Sequence, residues 1–274
     1  MTSLHDMLAQ KDTLNGVLVM GIVNTAPDSF SDGSDGIDPV DKALKLLDEG
    51  ADIIDIGGES TRPDADEIPV DIEIKRVQDV LLQIKKLRPS AVVSIDTRKS
   101  KCAAKMLELG ADIINDVSGL TYSKDMAQIT ASFNANLIIM HSCGKGVSAE
   151  LHTYNNIADE VYDFLLKQKN LAISHGVMPQ NIAVDPGLGF SKNTAENCIM
   201  LKNTGRFAGI APVLIGCSRK RFVRDLGDIK EFAISDTYSA YIGALSVLEG
   251  AKILRVHNVT ETVKFLNIMN KIRS

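Results

Sequence analysis

Residues able to do chemistry stand at the ends of eight short apolar runs. Asn24 follows Val17–Val23, Glu59 lies just beyond Asp52–Ile56, Asp96 follows Val92–Ile95, and Asn115 follows Ile113–Ile114. His141 closes Leu137–Met140, Asp185 closes Ile182–Val184, Ser218 closes Val213–Cys217, and Arg255 closes Ile253–Leu254. Asp96 and Asp185 with the amide of Asn115 suit a flat heterocycle rich in N–H donors, because together they accept several hydrogen bonds in one plane. Ser218-Arg219-Lys220-Arg221, Arg255 and His257 offer the opposite polarity and suit a phosphate or diphosphate, with Arg62 placed to complete a clamp. The simplest arrangement is two walls of one cavity, acidic under the ring and basic under the anion. Blander readings exist for each: the aspartates as helix caps, Arg219 and Arg221 as a solvated basic turn.

Buried parallel strands read as short Val/Ile/Leu runs, and eight of them alternating with helical periodicity predict a single (β/α)₈ barrel over 1–274. Barrels of this kind build their sites at the C-terminal strand ends, where all of these residues fall. A repeat supports the reading: LDEGADIID at 47–55, LELGADIIN at 107–115 and LEGAKILR at 248–255 each run helix, Gly, strand. In that register Asp55, Asn115 and Arg255 are equivalent. Val40, Ala43, Leu44 and Leu47 share one helix face, as do Val70, Ile74, Val77, Leu81 and Ile84, and Ile157, Val161, Phe164 and Leu165. Segments 25–38 and 57–69 are long, Gly/Pro-marked loops expected to act as lids or clamps. Net charge −5 argues against a nucleic-acid surface, and no apolar run is long enough to span a bilayer or resembles a secretory leader. Four cysteines without CxxC spacing read as reduced thiols, hence a cytoplasmic protein.

The motifs then identify a resemblance. MGIVNTAPDSFSDGS (20–34), GADIIDIGGESTRPDA (50–65), SIDTRKS (94–100), DIINDVSG (112–119), IIMH (138–141), DPGLGFSKN (185–193), IGCSRK (215–220) and LRVHNV (254–259) resemble the dihydropteroate synthase family, in its order and across nearly the whole chain. The resemblance implies condensation of 6-hydroxymethyl-7,8-dihydropterin pyrophosphate with p-aminobenzoate. It assigns Asp96, Asn115, Asp185 and Lys220 to the pterin, with Met140 lining the pocket and Arg255 stacking on the ring. Asn24, Arg62, Arg255 and His257 face the pyrophosphate, Asn24 also taking Mg²⁺. Phe30, Thr61, Arg62, Pro63, Phe190 and Ser218 shape the aminobenzoate site. Asp96, Lys220, Arg255 and His257 carry the catalytic electrostatics, as C–O cleavage leaves a pterin cation and a departing diphosphate. The family further implies a homodimer and sulfonamide inhibition.

Departures from the family pattern, at Ala26, Ser34, Asp64 and Ser142-Cys143-Gly144, fall in loops and leave the pterin residues intact. A pterin-dependent methyltransferase barrel shares the fold but lacks the Ser60–Pro63 clamp and the Ser218-Arg219-Lys220 turn. A silent pterin-binding homologue would not need Asn24, Arg62, Lys220 and His257 together. Asp185→Asn is expected to weaken pterin binding at least tenfold by calorimetry; unchanged affinity removes that residue from the pocket.

Overall fold

The computed structural model describes residues 2–11, 16–26, 37–60, 66–143, 152–228 and 232–273. Eight parallel strands close in chain order into a barrel: β1 Leu18–Asn24, β2 Ile53–Gly57, β3 Val92–Asp96, β4 Ile113–Asp116, β5 Asn136–Met140, β6 Ile182–Asp185, β7 Val213–Ile215 and β8 Ala251–Val256. Around it lie α2 Pro39–Asp48, α3 Val70–Leu87, α4 Ser100–Glu108, α5 Met126–Ser132, α6 Ile157–Ser174, α7 Thr194–Lys202, α8 Thr204–Ala208, α9 Arg221–Gly227, α10 Phe232–Leu248 and α11 Val259–Arg273. The (β/α)₈ architecture expected from the apolar runs is the one observed. Each run shifts by a residue or two at its ends, most at β8, which extends two residues each way to Ala251–Val256, while β7 stops at Ile215.

Alternation along the strands separates two apolar clusters. Leu18, Met20, Ile53, Ile113, Ile138, Ala183, Leu214 and Ile253 fill the barrel interior. Their i±1 neighbours, among them Val19, Ile54, Ile114, Leu137 and Leu254, pack outward against the helices. Two residues beyond the interior residues of β2, β4, β5, β6 and β8 lie Asp55, Asn115, Met140, Asp185 and Arg255, so the same alternation raises a largely polar storey on an apolar floor. In α2 the fully buried residues are Val40, Ala43 and Leu46, while Leu44 and Leu47 pack at the margin. Of the expected stripes, Val77, Leu81 and Ile84 of α3 and Ile157, Val161 and Leu165 of α6 are buried, while Val70, Ile74 and Phe164 pack partly buried at the margin; Glu73 is an unforeseen member of the first.

Gly50, Gly110 and Gly250 adopt φ of +102°, +99° and +107°, the backbone form for which glycine was read at these helix ends. In the first two copies the paired bonds of a Schellman close follow: Gly50 N–H to Leu47 O and Ala51 N–H to Leu46 O, Gly110 N–H to Leu107 O and Ala111 N–H to Met106 O. Asp52 and Asp112, the next repeat residues, accept from the Val19 and Val93 amides at 2.8 and 2.9 Å and pair with Lys11 and Lys85. They pin the N-terminal end of the barrel and have no share in the site.

A short helix absent from the sequence reading, α1 (Leu4–Gln10), plugs that end. Leu4 is fully buried in the interior cluster, and Asn136 clamps the segment by accepting from Leu4 N–H (2.8 Å) and donating to Thr2 O (3.0 Å). Leu4→Ala is expected to cost about 3 kcal/mol through the cavity it opens, measured as a lower urea midpoint at constant slope.

Candidate functional site

The mouth of the barrel is organised by one guanidinium. Arg255 leaves β8 with Nε 2.6 Å from Asp55 Oδ2 and Nη2 2.7 Å from Asp96 Oδ2. Asn115 Nδ2 also donates to Asp55 Oδ2, at 3.3 Å. Strand register sets this up: Gly57, Asp96 and Asn115 are lateral partners, Asp55 lies two residues below Gly57, and Arg255 pairs with Met20 across the closing seam. The expected separation into an acidic and a basic wall is therefore corrected. The charges interleave, because a cation on β8 and carboxylates on β2 and β3 project into one narrow bore where leaving any of them unpaired is costly.

Asp55 was not singled out as a site residue, although the internal repeat had placed it level with Asn115 and Arg255. Its side chain is wholly buried, and among the described residues its Oδ1 has no hydrogen-bond partner. Asp96 does not cap α4; Lys99 stands at that position and makes no side-chain capping bond. Burial raises the Asp96 pKa to about 7, with Arg255 opposing and Asp55, Glu73 and Asp116 reinforcing the rise. The Arg255 pKa is shifted upward: burial works against its charge, and Asp55 and Asp96 outweigh it.

Asp185 ends β6 beside Met140 of β5. Burial raises its pKa, partly offset by Lys220, by the Gly187 amide and by Arg255. Its Oδ1 accepts from Gly187 N–H at 2.7 Å, so the carboxylate also shapes its own turn. Lys220, at the foot of α9, donates to Leu188 O and sits 4.5 Å from the Phe190 ring centre. Burial lowers its pKa to about 8, against the pull of Asp185. Gly189 makes room for it, since a Cβ there would lie 2.7 Å from Lys220 Cδ.

His257 lies just past β8, half-buried, with Nδ1 3.0 Å from Ser218 Oγ, which also accepts from the His257 backbone N–H at 3.2 Å. Burial, then Arg219, Lys42, Arg255 and Lys220, push its pKa well below the usual value. At neutral pH it is an uncharged imidazole, not the cation the basic-wall picture implied. Arg219 holds a left-handed turn (φ +60°) and grips Asp236 of α10 through Nε–Oδ1 and Nη2–Oδ2 contacts of 2.8 Å each. Arg221 is exposed, as the bland reading held. A cavity of about 370 Å³ opens beside His257, bordered by Lys42, Arg219, Asp236 and Asn258.

Two strand-end residues have structural employment instead. Glu59 accepts from Ile68 N–H (3.0 Å), Lys99 Nζ (2.9 Å) and Arg98 Nε (3.2 Å), and Lys99 also donates to Ile68 O (2.7 Å). This clasp ties residue 59 to residue 68, the two ends of the second long loop. His141 is buried against Phe164, and burial followed by the Lys192 charge lowers its pKa to about 2. Cys143 Sγ meets Tyr154 Oη at 3.2 Å, and all four cysteines are free thiols.

Asn24 ends β1 with its amide exposed. A Cβ at Gly57 would stand 3.6 Å from Asn24 Oδ1 and 3.7 Å from Asp96 Cβ, so that glycine keeps the space between them open. Among the described residues no group of three His, Cys, Asp or Glu side chains could enclose a metal ion. Phe30, Thr61, Arg62 and Pro63 lie outside the described residues.

Residues 20–257 match the family described as pterin binding enzyme. Over 93% of its length the chain is 41% identical to a probable bifunctional folylpolyglutamate synthase/dihydropteroate synthase of Haloferax volcanii, of which it spans 30%. It is 36% identical over 92% of its length to the dihydropteroate synthase of Bacillus subtilis, covering 87% of that protein. The Xanthomonas albilineans dihydropteroate synthase, solved with 4-aminobenzoic acid, superposes with a TM-score of 0.87 at 34% identity over 94% of this chain and 93% of that one.

Lys99 is buried with both Glu59 and Glu73, at 2.9 and 3.0 Å. Lys99→Met is expected to destabilise the fold by about 3 kcal/mol in denaturant titration, since it takes the ammonium from buried Glu73 and removes one of the donors that hold Glu59.

Proposed function

The chain belongs to the pterin-binding enzyme family, with the dihydropteroate synthases as its relatives, and on that premise we propose that it condenses 6-hydroxymethyl-7,8-dihydropterin pyrophosphate with p-aminobenzoate. The observation that carries the reading is the single bore shared by Asp96, Asn115, Asp185, Lys220 and Arg255, with His257 at its rim. The ring N–H and exocyclic amine of a pterin are donors matched to Asp185 and Asn115. Lys220, now satisfied by Leu188 O, has a donor to give a ring acceptor. Arg255 presents the face of a guanidinium already fixed by two carboxylates, so stacking on it needs no reordering.

Cleavage of the C–O bond before amine attack puts positive charge on the pterin methylene and negative charge on the diphosphate. Asp96 in its ionised form stabilises the cation. Arg255, and His257 as a neutral donor, face the departing anion, whose charge draws the His257 pKa back up. Arg62 is proposed to join them. An arylamine is uncharged at neutral pH, so no strong base is required. Thr61, Pro63, Phe30, Phe190 and Ser218 are proposed to shape the aminobenzoate site, with sulfonamides as competing occupants.

The single carbonyl oxygen of Asn24 fits a Mg²⁺ held mainly by substrate phosphate and water, the usual manner for this ion. When bound it would neutralise charge on the leaving group.

A homodimer is supported by α10, where Ile234, Tyr238, Tyr241, Leu245 and Leu248 are exposed at spacings of four and three residues. Ile268 and Ile272 of the adjoining α11 extend the apolar face. Free thiols throughout, and no described helix long and apolar enough to cross a membrane, support a cytoplasmic setting.

Pyrophosphate release with both organic substrates and Mg²⁺ tests the reaction. Release should require p-aminobenzoate and be blocked by a sulfonamide; methyl transfer from methyltetrahydrofolate would point to the methyltransferase relatives instead. The pH profile of kcat/KM for the pterin substrate should be a bell. Its acid limb lies near 7, where falling pH protonates Asp96, and its basic limb near 8, where rising pH discharges Lys220. A profile flat from pH 5 to 9 contradicts both roles. Leu245→Glu should convert a sedimenting dimer to monomer.

A further inference from the structure

We propose that Lys192, a residue outside the pocket, positions the β6–α7 loop so that Asp185 and Lys220 are both aimed at the pterin. The inference rests on the pterin assignment made above. Lys192 follows the strand-end motif DPGLGFS, and its side chain turns back beneath the loop rather than toward the mouth. It is almost wholly buried, yet its ammonium meets three acceptors: Gly187 O at 3.0 Å, Phe190 O at 3.1 Å and His141 Nδ1 at 3.0 Å. An ammonium has three N–H donors and no acceptor, so the match is one to one. His141 can be the third acceptor because burial keeps its ring neutral.

The loop is wound to make that match. Gly187 (φ +69°), Gly189 (φ +77°) and Ser191 (φ +51°) alternate with ordinary residues and turn successive carbonyls inward. A Cβ on Gly187 would fall 1.9 Å from His141 O, so this strand-to-strand approach admits only glycine. Two lysines share the carbonyls: Lys192 takes those of Gly187 and Phe190, Lys220 takes that of Leu188 between them.

Each end of the Lys192 crosslink bears on a pterin residue. Gly187 donates its N–H to Asp185 Oδ1, fixing the carboxylate. Phe190 supplies the ring under Lys220 Nζ. Through His141 the same ammonium fastens the loop to the end of β5, next to Met140. Releasing Lys192 would free the segment carrying Leu188 and Phe190, take the ammonium donor from His141 Nδ1 and Phe190 O, and leave Gly187 O held only by the Phe190 N–H at 3.2 Å. Besides His141, the groups acting on Lys192 are Cys143, Asp185, Lys220 and Glu196. Burial lowers its pKa to about 7, with Cys143, Asp185 and Glu196 favouring the ammonium and Lys220 opposing it.

Calorimetry with 6-hydroxymethyl-7,8-dihydropterin as the probe, together with steady-state kinetics, tests the role. Lys192→Met should lower probe affinity at least fivefold and raise KM for the pterin pyrophosphate by a similar factor, with kcat within threefold of the parent. Lys192→Arg, which keeps charge and donors, should recover most of the affinity. A folded Lys192→Met protein that binds the probe with less than a fivefold loss overturns the proposal. So does parallel loss of affinity and kcat with no recovery by arginine, the mark of general damage. Should the methionine variant not fold, His141→Leu removes one acceptor and should cost at least threefold in probe affinity, a smaller change overturning the proposal. Binding of the probe by the unaltered protein tests the pterin assignment separately.

Discussion

A guanidinium shared between two buried carboxylates is the constraint on which the mouth of this barrel depends. Arg255 bridges Asp55 and Asp96, contributed by β8, β2 and β3, so three strands are tied across the closing seam at the height where the apolar interior ends. Asn115 adds β4 through Asp55. Each charge is buried and would be costly alone; together they form a rigid polar storey whose free edges are hydrogen-bond acceptors. A heterocycle with several N–H donors can settle on that storey without displacing its internal pairs.

Around it the loops are held by charges acting as fasteners. Arg219 on Asp236 fixes the turn that presents Ser218 and Lys220. Glu59 and Lys99 clasp residues 59 and 68, and Lys192 gathers the carbonyls of the β6–α7 loop. The cost of desolvating these ions is offset by nearly complete hydrogen bonding, which is why removing one partner is more damaging than the pair's net contribution suggests. Their arrangement also spreads the pKa values: Asp96 upward, Lys220 and His257 downward, by burial above all. One carboxylate poised near neutrality, Asp96, and an uncharged histidine beside four cations make a site whose charge state responds to an anionic ligand.

The residues at the strand ends were legible because a (β/α)₈ barrel leaves only one place for them. A buried strand reads as an apolar run, its last residue emerges at the mouth, and the next helix starts afresh. The helix–Gly–strand repeat puts Arg255 level with Asp55 and Asn115, yet it does not say that they touch. Helix α1 escaped because seven residues with one buried leucine carry no measurable periodicity. Glu59 and His141 looked chemical by position and type, and only the partners brought to them by distant segments, Ile68, Lys99 and Lys192, show them as fasteners.

What the sequence determined by itself is the architecture, the height of each polar residue in the barrel and the chemistry each can offer, since these follow from local periodicity and residue type. The tertiary structure alone decided which charges meet. Opposite signs assigned to two walls proved to be interleaved in one bore, because closure of the barrel joins β8 to β1 and carries Arg255 across to carboxylates 159 and 200 residues away. Sequence spacing carries no information on such a contact; only the shear and closure of the sheet set it.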